Sequence, residues 1–214
     1  MPCDVAAKNP PPTWGRWPRR GRRRALLTSA LLLTGLFLFG NGAYMKAKAQ
    51  LSQILLAHAW EVTLEGASDA RPWPWADVTP AAKLELPRLH ASAIVLSGIS
   101  GQALAFGPGL MDGSAAPGRP GLTLLAGHRD SHFAFLQHAR VGDAIRLTGA
   151  DGTPYTYTLT ETRIVDEDAS MLTPGGGGTA TLALTTCYPF GGLTPTRQRF
   201  VAIATLDDTG AFPQ

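Results

Sequence analysis

The pattern of apolar and polar positions changes twice along this chain, and the first part of it is a long apolar run. Residues 25–45 (ALLTSALLLTGLFLFGNGAYM) contain no charged side chain. An α-helix rises about 1.5 Å per residue, so this stretch reaches about 30 Å, the thickness of the apolar core of a bilayer. The pattern therefore predicts a membrane-spanning helix over 25–45.

Two other interpretations of the apolar run stay open. A buried core helix has a similar composition, and a cleaved signal peptide is suggested by Ala47-Lys48-Ala49, which resembles a cleavage site with small residues. The arginine cluster before the run and the length of the run favour an uncleaved signal anchor. Because arginines precede the run and few lysines follow it, the N-terminus is expected in the cytoplasm and the rest of the chain outside it.

The next segment, 46–80, is predicted to be a juxtamembrane helix followed by a linker. Over 45–65 the apolar residues recur at helical spacing, at Leu51, Ile54, Leu55 and Ala59. The stretch 66–80 (GASDARPWPWADVTP) is rich in proline and tryptophan, and its prolines exclude a regular helix or strand.

From residue 81 onward, the pattern changes to short apolar or alternating runs separated by glycine and proline turns, which is typical of β-strands. The predicted strands are 82–86, 91–97, 121–126, 143–148, 154–164, 180–186 and 199–206. One short amphipathic helix is predicted over 132–140 (HFAFLQHAR). Seven or eight short strands predict a mainly β domain, either a closed barrel or a sandwich.

Charge divides the chain into a basic arm and a weakly acidic body. Residues 1–24 hold seven basic residues and one acidic residue, whereas 25–214 hold twelve basic and fifteen acidic residues. The body therefore offers no basic stripe, and nucleic acid is not an expected partner. The arm, rich in proline and arginine, is predicted to be a disordered cytoplasmic tail.

The two cysteines are predicted to lie on opposite sides of the membrane. Cys3 belongs to the cytoplasmic tail and Cys187 to the exported body, so they cannot form a disulfide with each other. An oxidising compartment normally pairs its cysteines or does without them. Cys187, which lies between the predicted strand TLALTT and the turn YPFGG, is therefore either a buried inert thiol or one kept for its chemistry.

His128 has the same placement as Cys187, because it follows the apolar strand GLTLLA and a glycine, Gly127, which lets the backbone bend. The other histidines, at 58, 90, 132 and 138, are expected to have structural or solvated roles. A histidine and a cysteine at two strand ends form the minimal pair for thiol catalysis, in which the imidazole activates the sulfur and later delivers a proton. A nearby cation lowers the pKa of a thiol from its usual value of about 8.5.

Two arginines, Arg197 and Arg199, enter the last apolar strand (RQRFVAI). Strand alternation would put both on one face with Val201. An arginine facing a cleft can stabilise a developing oxyanion. The alternative for each is an exposed role on the solvent face.

Three segments of this chain, in order, resemble the sortase family. ALTTC at 183–187 is similar to the sortase signature T-L-x-T-C and departs from it in Ala183. GHRDSHF at 127–133 resembles the sortase histidine segment, and ALAFGPG at 103–109 resembles a stretch common in the superfamily. LTTCYPF together with GHRDSHFAFL looks most like the Gram-negative branch, class GN. The resemblance covers roughly 80–206.

The resemblance implies a closed eight-stranded β-barrel with one or two short helices, preceded by the transmembrane helix. The catalytic barrel would occupy 81–208 and a C-terminal tail 209–214. Such enzymes cleave a C-terminal sorting signal of an exported protein, hold the acyl group as a thioester on cysteine, and transfer it to an amine or to water. The expected partners are that exported protein, the amine acceptor and the membrane.

Carried over by position, the resemblance makes Cys187 the nucleophile and His128 the general acid. Arg199, directly before Phe200, matches the family arginine, while Arg197 fits a longer offset and stays the alternative or a substrate-cleft residue. No cofactor and no metal site is implied. The expected location is the inner (cytoplasmic) membrane, crossed once, with the catalytic domain periplasmic or otherwise extracytoplasmic.

Two other functions compete for the same residues. An L,D-transpeptidase would carry S-H-G-C, whereas here Thr-Thr precedes Cys187 and Tyr-Pro follows it. A non-catalytic, membrane-anchored β-domain that binds a partner would keep Cys187 as a small buried hydrophobic residue.

Overall fold

The computed structural model describes residues 19–167, 178–192, 194 and 196–207. The first eighteen residues of the predicted basic tail and all of the tail 209–214 lie outside this part of the chain. Contacts divide the chain into two compact units, Met1–Lys48 and Ala49–Gln214. The boundary falls within the first helix.

A single helix, α1, covers Arg19–Leu64 and includes both the apolar run and nearly all of the predicted stalk. The two segments are continuous because the intervening sequence, KAKAQL, consists of good helix formers without glycine or proline. By length and composition α1 is able to cross a membrane, since its most apolar part has a mean hydropathy of 1.6. Its large apolar side chains from Leu26 to Met45 are exposed.

The last turns of α1 belong to the second unit and pack within it. Leu56 is fully buried in an apolar cluster with Ala76 and Val78 of the linker and with Leu96 and Ala103 of the β-domain. The linker, although irregular, is therefore part of the folded domain and not a free tether.

Eight strands form one closed barrel, in the order β1-β2-β3-β4-β7-β8-β6-β5. Their bounds are β1 Pro80–Leu86, β2 Ala91–Ser97, β3 Gly109–Leu110, β4 Gly121–Ala126, β5 Ala144–Gly149, β6 Pro154–Asp166, β7 Ala180–Cys187 and β8 Gln198–Leu206. The closed barrel is confirmed, and the sandwich is not what this sequence forms.

Three elements were absent from the sequence prediction, and one differs from it. The short helix α2, Gly101–Phe106, begins at Ser100, whose hydroxyl accepts a hydrogen bond from Ala103 N at 3.2 Å. β3 has only two residues. The helix predicted over 132–140 is a 3₁₀ turn of five residues, Ala134–His138, and a second 3₁₀ turn covers Pro87–Leu89.

The two faces of the barrel wall can be followed along β7. Leu182 and Leu184 belong to the main core inside the barrel. Ala183, on the opposite face, packs with Leu122, Leu124 and Val201 in a separate apolar cluster. β4 and β7 run parallel, so their carboxyl ends meet at the same end of the barrel.

Candidate active site

Cys187 is the last residue of β7, and its direct partner in the sheet is Arg199 of β8. Directly opposite residues of an antiparallel pair present their side chains on the same face, with Cβ atoms about 5 Å apart. The thiol of Cys187 is half-buried and forms no disulfide. Pairing across β7 and β8 therefore puts Arg199 and the half-buried Cys187 on the same face of the sheet.

His128 lies two residues beyond the end of β4, the strand that runs parallel to β7. The β4–β7 register ends at Ala126 opposite Thr185, and Gly127 N continues it by donating to Thr185 O at 3.1 Å. The Thr186 hydroxyl donates to Gly127 O at 2.6 Å. The exposed His128 and the half-buried Cys187 are the next residues after Gly127 and Thr186.

A tight turn fixes the backbone at His128. The Phe133 amide donates to His128 O at 3.0 Å, and the Phe133 ring is fully buried beneath Gly127. A Cβ at Gly127 would lie 2.8 Å from that ring. Gly127 is thus needed for the close approach of Phe133, whereas the sequence had suggested a bend.

The Arg199 guanidinium is held by three acceptors. Nη1 donates to Thr196 O at 2.9 Å and to Gln198 O at 3.1 Å, and Nη2 donates to Glu167 Oε2 at 2.8 Å. The Arg199 side chain is 28% exposed and that of Glu167 is 53% exposed. Glu167 follows β6, so the ion pair joins β6 and β8 at the same end of the barrel.

Arg197 has a different position from Arg199. It precedes β8, which begins at Gln198, and it is exposed. Its carbonyl accepts a hydrogen bond from Glu167 N at 2.7 Å. The expected alternation therefore holds for Arg199 and Val201 and does not extend to Arg197.

Two residues near the site were not predicted from the sequence as part of it. Glu167 is recognisable only once β6 and β8 are paired. His132 is half-buried, and burial lowers its pKa, with the nearby His128 acting in the same direction and the Ala105 carbonyl and Asp130 opposing it. A second imidazole, whose lowered pKa disfavours its charged form, therefore lies near His128.

The three elements β4, β7 and β8 are adjacent in the barrel, and they bring His128, Cys187 and Arg199 to one end. The set offers a nucleophile, a proton carrier and a cationic hydrogen-bond donor, which is the equipment of acyl transfer through a thioester. In the described ranges no group of three or more histidine, cysteine or acidic side chains could hold a metal ion.

Comparison with known proteins decides the family. The sortase domain model matches residues 84–207, more than half of the chain. The chain belongs to the sortase family. This assignment favours the sortase interpretation over the L,D-transpeptidase alternative, while membership in the Gram-negative branch stays a prediction.

Relatives of this sortase include Sortase D of Bacillus subtilis, which is 35% identical over 107 residues. That match covers 50% of this chain and 54% of the relative, so the chain spans about half the length of the curated protein it matches.

Solved structures show the same fold. A sortase D5 transpeptidase of Clostridium perfringens aligns with a TM-score of 0.55 and 19% identity, covering 71% of this chain and 88% of that chain. Sortase A of Listeria monocytogenes aligns with a TM-score of 0.51 and 27% identity, covering 60% and 88%. The first likeness, at this low identity, shows the fold alone.

Proposed function

We propose that this sortase is a membrane-anchored cysteine transpeptidase that cleaves a C-terminal sorting signal of an exported protein and transfers the acyl group to an amine or to water. The observation that supports the proposal is the pairing of three adjacent strands: Cys187 pairs with Arg199 across β7 and β8, and His128 follows β4, which runs parallel to β7. Family membership supplies the reaction class, and the residue roles below are our assignment.

In the first half-reaction, the Cys187 thiolate attacks the carbonyl carbon of the scissile peptide bond. The C–N bond breaks, the leaving amine takes a proton from the His128 imidazolium, and a thioester forms on Cys187. In the second, an acceptor amine or water attacks the thioester, His128 takes up its proton, and the thiol leaves as thiolate. Each turnover thus returns both groups to their starting protonation states.

Arg199 is the proposed donor to the oxyanion. Removing one such donor typically costs 10²–10³ in turnover, because charge develops on that oxygen only in the transition state. The three acceptors on Nη1 and Nη2 fix the guanidinium before substrate arrives, which is the preorganisation that this kind of stabilisation requires.

The face that carries Cys187 continues along the barrel wall into a cluster of buried apolar residues. Ala183 lies four residues before Cys187 on β7, and Val201 lies two residues after Arg199 on β8. Val165 of β6 pairs with Arg199 and packs on the same cluster.

The proposed topology has α1 crossing the inner membrane once, with the N-terminus in the cytoplasm and the barrel outside. Its supports are the length and composition of α1 and the arginines that precede the apolar run.

The proposed reaction is tested with the full chain in detergent and a library of peptides whose C-terminal segments vary, with hydroxylamine as the acceptor amine. The expected product is a peptide hydroxamate, formed by the native protein and by Cys3→Ala and not by Cys187→Ala. Hydroxamate that forms equally with Cys187→Ala would contradict the proposal.

A further inference from the structure

Arg129 connects the two segments that carry the proposed thiol and imidazole. It follows His128 directly, and its Nη2 donates hydrogen bonds to Gly192 O and, at 3.1 Å, to Thr194 O. Both carbonyls belong to the loop that leaves Cys187 and returns to β8. The Arg129 side chain, from the turn at His128, thus holds the backbone of the loop 188–197, called the cysteine loop below.

The backbone of the cysteine loop turns at Gly192 and leaves room for the Arg129 guanidinium. Gly192 N donates to Pro189 O at 3.2 Å, which closes a turn directly under Arg129. A Cβ at Gly192 would lie 3.1 Å from Pro189 O and 3.3 Å from Arg129 Nη1, so only glycine permits the present approach without a shift.

The same loop is tied back to the thiol strand at two further points. Tyr188 N donates to Gln198 O at 3.0 Å, and the Thr196 hydroxyl donates to Tyr188 O. Tyr188 follows Cys187 in the chain, so a displacement of the loop would also move the peptide bond between Cys187 and Tyr188.

One end of the Arg129 guanidinium is buried, which is unusual for a surface arginine. Nη1 is buried and meets no hydrogen-bond partner among the residues that the structure describes. Within the same residues no carboxylate forms an ion pair with Arg129. A buried guanidinium nitrogen without a hydrogen-bond partner opposes folding. The stabilising contribution that the geometry shows is the pair of hydrogen bonds from Nη2 to the loop carbonyls.

We propose that Arg129 is a positioning residue that ties the cysteine loop, 188–197, to the turn at His128 and so keeps the thiol next to the imidazole. The inference rests on the proposed function, because it assumes that His128 and Cys187 act as a pair. Arg129 acts through the loop backbone and does not touch the reacting atoms.

The test compares Arg129→Met with Arg119→Met, a matched loss of charge at an exposed arginine outside the site. Two quantities are measured on the full chain in a Cys3→Ala background. One is amide hydrogen exchange in the cysteine loop. The other is the rate of iodoacetamide alkylation of Cys187 at about pH 7 divided by that at about pH 9.5, two conditions on either side of the ordinary thiol titration.

We expect Arg129→Met to speed exchange in the cysteine loop about fivefold or more and to lower the alkylation ratio about threefold or more, while Arg119→Met changes neither. Combined with His128→Ala, Arg129→Met should lower the ratio little further, because both changes break the same pairing. Arg129→Lys, which keeps the charge and loses the two-carbonyl fork, should also lower the ratio.

Three results would overturn the inference. They are unchanged hydrogen exchange in the loop of Arg129→Met, an unchanged alkylation ratio, or a double variant with His128→Ala whose ratio falls by the product of the two single losses. If Arg129→Met does not fold, Gly192→Ala disturbs the same contact without changing charge and should give the same two signals. The proposed function fails separately, when His128→Ala itself leaves the alkylation ratio unchanged.

Discussion

Cys187 and Arg199 are direct partners across β7 and β8, on the same face of the barrel. The pairing follows from sheet register alone and needs no particular side-chain rotamer. This pairing distinguishes Arg199 from Arg197, which precedes β8 and is exposed. Arg199 is therefore the arginine that we assign to the oxyanion.

The assignment predicts unequal effects of the two arginines. Arg199→Ala should lower turnover by about 10²–10³, since one oxyanion donor is lost. Arg197→Ala should change it less than about tenfold. Steady-state acyl transfer to hydroxylamine measures both, with thermal melting to show that each variant is folded. A larger loss in Arg197→Ala would reverse the assignment.

Glu167 is expected to have a smaller influence than its ion-pair partner. In Glu167→Gln, Arg199 keeps the carbonyls of Thr196 and Gln198, and a half-exposed ion pair contributes little. Turnover should fall less than about fivefold, and added salt should weaken activity less in the variant than in the native protein. A loss as large as that of Arg199→Ala would show that the ion pair itself is essential.

Gly127→Ala should damage both the fold and the site. The added Cβ meets the buried Phe133 ring at 2.8 Å, so the turn at His128 must move. Overpacking of this kind costs about 1–3 kcal/mol, or about 2–4 °C of melting temperature per kcal/mol.

The matched control for that change is Gly101→Ala, at the first residue of α2, where nothing lies within 4 Å. It should leave activity intact and keep or raise the melting temperature, because alanine favours a helix. Equal melting temperatures for the two alanine variants would contradict the packing argument.

Asp143 should make stability depend on pH. Hydrogen bonds from Arg88 hold the pKa of this buried carboxyl below its usual value, and the amide of Arg140 helps, while burial opposes. A depressed folded-state pKa stabilises the protein above the unfolded value of about 3.9, and the stabilisation is lost as pH falls through the folded value.

Asp143→Asn should accordingly melt at a lower temperature than the native protein at neutral pH, by several degrees for a loss of about 1–3 kcal/mol. The difference should shrink in acid. Glu161→Gln removes an exposed partner of Arg163 and should change the melting temperature little. A difference that persists undiminished in acid would contradict the linkage.

Most strands were predictable because they either alternate, as β1 does, or form a short apolar run between turns, as β4 does. β3 was not, because two residues show no period. The 3₁₀ turn at Ala134–His138 was misread as an α-helix because the buried residues Phe133 and Leu136 are three apart, a spacing that both helices share.

In the site, the strand-end placement of Cys187 and His128 was visible from the sequence, and in the structure both follow parallel strands that end at the same end of the barrel. Glu167 was not visible, because it meets Arg199 over a separation of 32 residues that only the β6–β8 pairing closes. Arg129 resembles any surface arginine until the cysteine loop is folded over it.

The central claim is that Cys187 is an activated nucleophile next to His128, and alkylation of the native full chain by iodoacetamide tests it most directly. With Cys3→Ala removing the only other cysteine, we expect Cys187 to react near neutral pH in the folded protein, and more slowly in His128→Ala. A thiol that reacts only after unfolding, or equally fast without His128, would contradict the account.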